Sequence, residues 1–256
     1  MHQPGEKWMY HTGSDVLGVL IARASGQPFE TFLHERIFEP LGMKDTAFSE
    51  PASKLDRLAT SYLTNSQNGT LELYDPAGGG HWSRPPAGPS GGGALVSTVD
   101  DYLAFGRMML NQGRHGSGRL LSRTSPVADV SCRGRLLSRT SPVADVSCRG
   151  RLLSRTSVET MTTDHLTAAQ KAVSGLLPGD FDNIGRGFGA AVVTRRQDVS
   201  APVGSYGWDG GLGTSWRSDP SEDMATIFLT QASWTSPVPT RVTRDFRTTA
   251  YQAIDD

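Results

Sequence analysis

Gly187-Phe188-Gly189-Ala190-Ala191-Val192-Val193-Thr194 opens a C-terminal region of short apolar runs, followed by Ser205 to Trp208, Gly213 to Trp216 and Met224 to Gln231. Each run has strand length, and the glycines in the first let another backbone approach closely. Asp219-Pro220 reads as a turn, and connections this short favour antiparallel pairing. A final helix, Arg241 to Ile254, places Val242, Phe246 and Ala253 along one stripe that can pack on such a sheet.

The N-terminal half has a different period. Asp15 to Ser25 reads as a helix with Val16, Leu17, Leu20 and Ile21 on one face, Ser14 as N-cap, and Gly26 with Pro28 as the stop. A second helix starts at Pro28, turns Phe29, Phe32, Leu33 and Phe38 inward, and ends before Pro40. Asn68-Gly69, between Ser61-Tyr62-Leu63-Thr64 and Leu71-Glu72-Leu73-Tyr74, signals a hairpin. Ser97-Thr98-Val99-Asp100-Asp101 is a capping pattern for a helix to about Asn111, with Val99, Tyr102, Leu103, Met109 and Leu110 inward. Helices first and strands last predict an α+β fold, an antiparallel sheet with packed helices, over residues 1–256 as one domain.

Between these regions a 16-residue unit, Gly118 to Arg133, recurs letter for letter from Gly134 to Arg149, and a third copy departs after Ser157. Identity at every position points to a tandem duplication, not a solenoid. Residues 118–149 hold six arginines and two aspartates, a charge of +4, and read as a solvated loop insertion. An arginine-rich nucleic-acid arm is the sharper alternative. Cys132 and Cys148 occupy equivalent places in the copies and make no disulfide framework or zinc pattern.

Global properties exclude several classes. A net charge of −1 gives no general attraction to nucleic acid or anionic membrane. No apolar run approaches the ~20 residues of a membrane span, and Met1 to Glu6 lack signal-peptide character. The expectation is a cytoplasmic protein as written, or a periplasmic or secreted one if the natural N-terminus is missing. Gly-x-Ser-x-Gly, His-Glu-x-x-His and Walker patterns do not occur. Gly185-Arg186-Gly187-Phe188-Gly189 lacks dinucleotide-fingerprint spacing, so its glycines are read as structural.

Two segments remain: Pro4-Gly5-Glu6-Lys7-Trp8-Met9-Tyr10-His11-Thr12-Gly13-Ser14-Asp15-Val16-Leu17-Gly18, continuing to Arg36-Ile37-Phe38-Glu39-Pro40-Leu41-Gly42-Met43, and Tyr206-Gly207-Trp208-Asp209-Gly210-Gly211-Leu212-Gly213-Thr214-Ser215-Trp216. With Gly92-Gly93-Ala94-Leu95-Val96-Ser97-Thr98, they make the chain resemble the serine β-lactamase-related family of class C β-lactamases, DD-peptidases and carboxylesterases. The resemblance implies a β-lactamase/transpeptidase-like fold lacking its N-terminal part. It implies acyl transfer to a serine, then hydrolysis of an ester or β-lactam amide, with no metal or organic cofactor.

In that family a Ser-x-x-Lys supplies the nucleophile, a tyrosine element shuttles its proton, and a Lys-Thr-Gly-type strand forms a cleft wall and an oxyanion-hole N–H. The resemblance makes Tyr10 the catalytic tyrosine. His11, Trp208, Asp209, Gly210 and Gly211 become substrate-binding residues, with Trp208-Asp209-Gly210 as the strand motif. His11 stands where relatives carry an amide or small polar residue. Asp209 stands where lactam-binding members prefer a hydroxyl; an acid there would repel a β-lactam carboxylate, which favours neutral esters.

Residues three before Lys7, Lys44, Lys54 and Lys171 are Pro4, Leu41, Pro51 and Ala168, so Ser-x-x-Lys does not occur. The expected alternative to an active hydrolase is therefore a non-catalytic remnant or half of a split domain. The expected partner is a small-molecule substrate, with no nucleic acid or membrane, and exposed apolar surface predicts self-association.

Overall fold

A computed structural model describes residues 2–10, 12–115, 151–175, 177, 179–236 and 238–254. The duplicated segment 118–149 and His11 lie outside the described residues.

Helix α1, Gly13–Ser25, ends where expected: Gly26 adopts the left-handed conformation and donates its N–H to the Ala22 carbonyl. Its start lies two residues earlier than expected. Thr12, not Ser14, is the N-cap, and it makes no side-chain capping bond. The apolar stripe also behaves differently, since Val16, Leu17, Val19 and Leu20 are all more than half exposed. The buried residue of this helix is Gly18, which lies against Gly91 and the Phe29 ring. A Cβ on Gly91 would collide with the Ser14 carbonyl, so this helix packs through backbone-to-backbone approach that only glycine permits.

The second helical stretch runs through Pro40 instead of ending before it. It comprises α2, Phe29–Leu33, a π-helical turn, His34–Phe38, and α3, Glu39–Leu41. Pro40 has no N–H to donate and its ring crowds the preceding turn. The π turn widens the helix just ahead of it, and beyond Pro40 the helix closes with left-handed Gly42 donating to Glu39 and Met43 N–H donating to Phe38, a Schellman-type cap. Phe38, Met43 and Phe48 are buried there.

The hairpin β1, Ser61–Thr64, with β2, Leu71–Asp75, forms around Gly69, which has positive φ. Tyr62 also bonds to Gln231 and Ser233, which moors the hairpin to the C-terminal region. Helix α4, Val99–Leu110, is capped by Thr98, whose hydroxyl accepts the Asp101 N–H. Ser97 does not cap it but shares a hydrogen bond with Thr46. Val99 is exposed, whereas Met108 and Met109 are buried.

Two short helices follow that periodicity did not signal: α5, Arg155–Met161, and α6, Ala168–Ala172. The second carries a complete capping box between Thr167 and Gln170.

The C-terminal strands form one five-stranded antiparallel sheet in chain order: β3, Ile184–Arg186; β4, Ala191–Val193; β5, Tyr206–Asp209; β6, Ser215–Asp219; β7, Met224–Phe228. The expected single strand Gly187–Thr194 is instead the turn and second arm of a hairpin. Gly189 takes positive φ and reverses the chain, and Gly187 lies where a Cβ would collide with the Met161 carbonyl.

Helix α4 covers one sheet face, where Trp216 packs against Tyr102, Phe105 and Tyr206 with ring centroids 5.7 to 5.8 Å apart. Met108, Met109, Val158 and Val192 complete this core. Helix α7, Arg241–Gln252, packs on β7, where Phe246 stacks on Phe228 at 5.0 Å. Its inward residues are Thr243, Phe246, Arg247 and Tyr251, while Val242 and Ala253 face solvent. The expected apolar stripe is thus largely polar, and its partners in the sheet are polar too.

Candidate active site

The N-terminal segment is held on α6 and the loop after it. Gln170 donates to the Gly5 carbonyl and Trp8 N–H donates to the Ser174 hydroxyl, both at 2.8 Å. This places Trp8 edge-on to buried Phe181, with centroids 5.6 Å apart. Tyr10 lies between two tryptophans: its ring is 5.9 Å from Trp8 and 5.6 Å from Trp208. Residues nearly 200 positions apart in sequence, Tyr10 and Trp208, thereby meet at the end of β5.

The guanidinium of Arg186, at the end of β3, completes the cluster. It sits 4.4 Å from the Trp8 ring centre, 4.2 Å from that of Trp208 and 5.7 Å from that of Phe181. Burial pushes its pKa down to about 10, against the raising influence of Tyr10 and Asp180, so it stays cationic at neutral pH.

Asp209 follows Trp208 on the strand and therefore turns to the opposite sheet face, toward α7. Its carboxylate accepts from Arg217 at 2.6 Å and from Arg247, which also donates to Ser215 at 2.6 Å. Two guanidiniums against one carboxylate leave this cluster at +1 (2 − 1). The expectation that Asp209 repels a substrate carboxylate is corrected on this ground: its charge is overcompensated by the arginines and its oxygens are occupied. Burial also pushes Arg217 down to about 10, which leaves it protonated beside Asp209.

Gly210 and Gly211 form the turn that joins β5 to β6. Gly210 N–H donates to the Thr214 carbonyl and the Gly211 carbonyl accepts from Trp234 N–H. Among the described residues Gly211 N–H makes no backbone hydrogen bond. Gly213, with positive φ, fits beneath the Ala232 carbonyl and Thr230 hydroxyl, where a Cβ would not. The turn is thus fixed from both sides. Among the described residues no group of three His, Cys, Asp or Glu side chains is placed to hold a metal.

Of the residues singled out in the sequence, Tyr10 and Trp208 come together, Asp209 faces the other way, and Gly210 and Gly211 shape the adjoining turn. Trp8, Phe181, Arg186, Arg217 and Arg247 were not singled out. A charged residue between two glycines at a strand end, as in Gly185-Arg186-Gly187, was the available signal for one of them. The glycines themselves are structural, as expected: Cβ atoms there would collide with Asp164 and Met161.

Several known proteins are similar to this chain. Protein Rv1367c of Mycobacterium tuberculosis is 35% identical over 238 residues, covering 90% of this chain and 50% of that protein. A lovastatin esterase of Penicillium rubens is 27% identical over 243 residues, covering 90% of this chain and 52% of the esterase. The chain therefore spans about half the length of these curated relatives. In structure, unliganded simvastatin synthase from Aspergillus terreus superposes with a TM-score of 0.71 at 21% identity, over 99% of this chain and 57% of that one. That likeness establishes a β-lactamase/transpeptidase-like fold. The Beta-lactamase family model matches residues 1–248, and the chain belongs to that family.

Proposed function

We propose that this chain is the tyrosine-and-strand portion of a serine hydrolase of the β-lactamase and carboxylesterase type, acting on esters, with β-lactam amides as the related substrates. The observation that carries this reading is the packing of Tyr10 on Trp208 at 5.6 Å. It joins the two elements that the family uses to move a proton and to wall the cleft. A serine hydroxyl needs a neighbouring base before it attacks a carbonyl, and a tyrosine held beside a cation suits that task. Gly211 N–H, in the rigid turn after Trp208, is the backbone donor available for the oxyanion, since Gly210 N–H is bonded to Thr214. The names of a lovastatin esterase and of an esterase from Burkholderia gladioli among the relatives support ester chemistry.

The reading needs an acylated serine that no Ser-x-x-Lys in these 256 residues supplies. That same observation favours the second reading, a non-catalytic remnant or half of a split domain. Covalent labelling of the purified chain by a fluorophosphonate or penicillin probe would overturn the second reading. Hydrolysis of p-nitrophenyl butyrate tests the first: Tyr10→Phe should lower kcat by roughly 10²- to 10⁴-fold if Tyr10 moves the proton. Unchanged turnover in Tyr10→Phe would remove that role.

A further inference from the structure

We propose that His81, paired with Asp75, is a nucleophilic imidazole that takes acyl groups from activated aryl esters, giving the chain a hydrolytic site separate from the Tyr10 cluster. The pair is built from two sides. Asp75 ends β2 opposite Ser61 and is only 2% exposed. The loop after it closes back over that carboxylate because residue 80 is glycine: a Cβ there would collide with the Pro76 carbonyl and the Asp75 carboxylate. His81 then donates its backbone N–H to Asp75 Oδ1 at 2.7 Å, and its Nδ1 lies 2.6 Å from the same oxygen. The next residue is pinned in turn: the Trp82 carbonyl accepts from Glu50 N–H, and the Trp82 indole N–H donates to the Ala94 carbonyl.

This geometry decides the chemistry of the ring. A carboxylate only accepts hydrogen bonds, so Nδ1 carries the ring proton and Nε2 holds the free lone pair. The His81 side chain is 74% exposed, which leaves that lone pair open to solvent while the carboxylate behind it is dry. Nε2 attacks the ester carbonyl carbon, the C–O bond to the aryloxide breaks with its electron pair, and an N-acylimidazolium forms. Its positive charge is held next to Asp75 through a hydrogen bond that already exists, so no side chain has to move. Water then adds to the acyl carbon and the C–N electron pair returns to Nε2. One water proton stays in the carboxylic acid and the other passes to the aryloxide, giving a phenol. Imidazole displaces a phenol-type leaving group but not an alkoxide, so the substrate class is aryl esters. Tyr74 and Trp82, the chain neighbours of Asp75 and His81, pack edge to face at 6.4 Å and put aromatic surface beside the pair. His165 is the internal contrast: its Nε2 lies 2.7 Å from the uncharged Thr160 carbonyl, and its ring is stacked on Phe188.

The test uses the purified 256-residue chain, with folding of each variant checked by circular dichroism. With p-nitrophenyl acetate, adding His81→Gln to Tyr10→Phe should lower p-nitrophenolate release at least about tenfold, the scale of one hydrogen bond to a charged group. Diethyl pyrocarbonate followed by mass spectrometry of a digest reads the nucleophile directly. His81 and His165 are both exposed, yet His81 should be carbethoxylated at least about tenfold faster, and Asp75→Asn should remove that advantage. Equal p-nitrophenolate release with and without His81, a His81 no faster than His165, or an advantage retained in Asp75→Asn would each overturn the proposal. If Asp75→Asn does not fold, the His81→Gln rate and the His81-to-His165 ratio in the unaltered chain decide the matter. Turnover lost in His81→Gln alone would leave this inference standing while the Tyr10 reading falls, and turnover lost in Tyr10→Phe alone would do the reverse.

Discussion

On one face of the five-stranded sheet Trp216 packs edge-on against Tyr102, Phe105 and Tyr206; on the other, its neighbour Arg217 joins Arg247 around Asp209. Adjacent residues of one strand thus serve two different interfaces. The α4 face is held by area removed from water and by close packing, which needs no exact partner. The α7 face is held by hydrogen bonds between groups that lose their water on burial, so each partner matters individually. Gly106 shows how tight the first interface is: a Cβ there would stand 3.2 Å from the Trp216 indole nitrogen.

The largest expected effect lies on the apolar face. Trp216→Ala should cost about 3–5 kcal/mol in urea unfolding, through lost burial and the cavity left behind. Asp209→Ala on the polar face should cost about 3 kcal/mol, at the low end for removing one partner of a buried ion pair, because it leaves Arg217 and Arg247 facing each other. The comparison is sharpest in the triple variant Asp209→Leu, Arg217→Met, Arg247→Met. Replacing a whole buried charge cluster with apolar groups should recover most of the loss. If the triple variant is less stable than Asp209→Ala alone, the charges stabilise the interface outright and the contrast between faces fails.

A smaller effect separates the faces by pH. Burial pushes Tyr206, on the α4 side, up to about 12, and burial together with the bond to Asp219 pushes Tyr251, on α7, higher still. Both must be neutral in the folded protein, whereas in the unfolded chain tyrosine ionises near its reference value of ~10. Their contribution is complete below that pH and is lost as pH rises toward the folded-state values, so stability should fall above it. Tyr251→Phe should cost about 1–2 kcal/mol at pH 8, because a buried Asp219 oxygen loses its donor. It should also make the alkaline decline shallower, with Tyr206 and Tyr102, which burial also pushes up, contributing to what remains. Denaturant midpoints measured from pH 8 to 11 check both statements; an unchanged alkaline slope in Tyr251→Phe would remove the assigned difference.

The two faces also differ in how far sequence reveals them. Short apolar runs of strand length with short connections between them made the sheet legible, and Thr98 with Asp101 marked the start of α4. The inward stripe of α7 was not legible, because Thr243, Arg247 and Tyr251 look like a solvent face until Asp209, Ser215 and Asp219 are placed opposite them. Likewise Tyr10 and Trp208 could be named through family resemblance, but Arg186 could not. Its significance comes from rings contributed by positions 8, 181 and 208, which only the fold brings together. Short helices α5 and α6 are too brief to show a period, and the Thr167–Gln170 capping box of α6 was not singled out in the sequence.

Helix α1 is the case where a strong periodic signal and the burial disagree, and it yields the smallest stability effect with the clearest separate readout. Val16, Leu17, Val19 and Leu20 form the exposed side, at 54–65% accessible, while Gly18 makes the close contact with Gly91. Leu17→Glu with Leu20→Glu should therefore change unfolding stability by no more than about 0.5 kcal/mol per site, as at ordinary surface positions. The same exposed apolar stripe is expected to drive self-association, since water is excluded when two such faces meet. Light scattering across a concentration series should show association in the unaltered chain and a shift toward monomer in the double variant. A chain monomeric throughout would mean that the stripe is tolerated in water. A destabilised double variant would instead mean that α1 buries its leucines in solution, and would move this helix to the side of the apolar face.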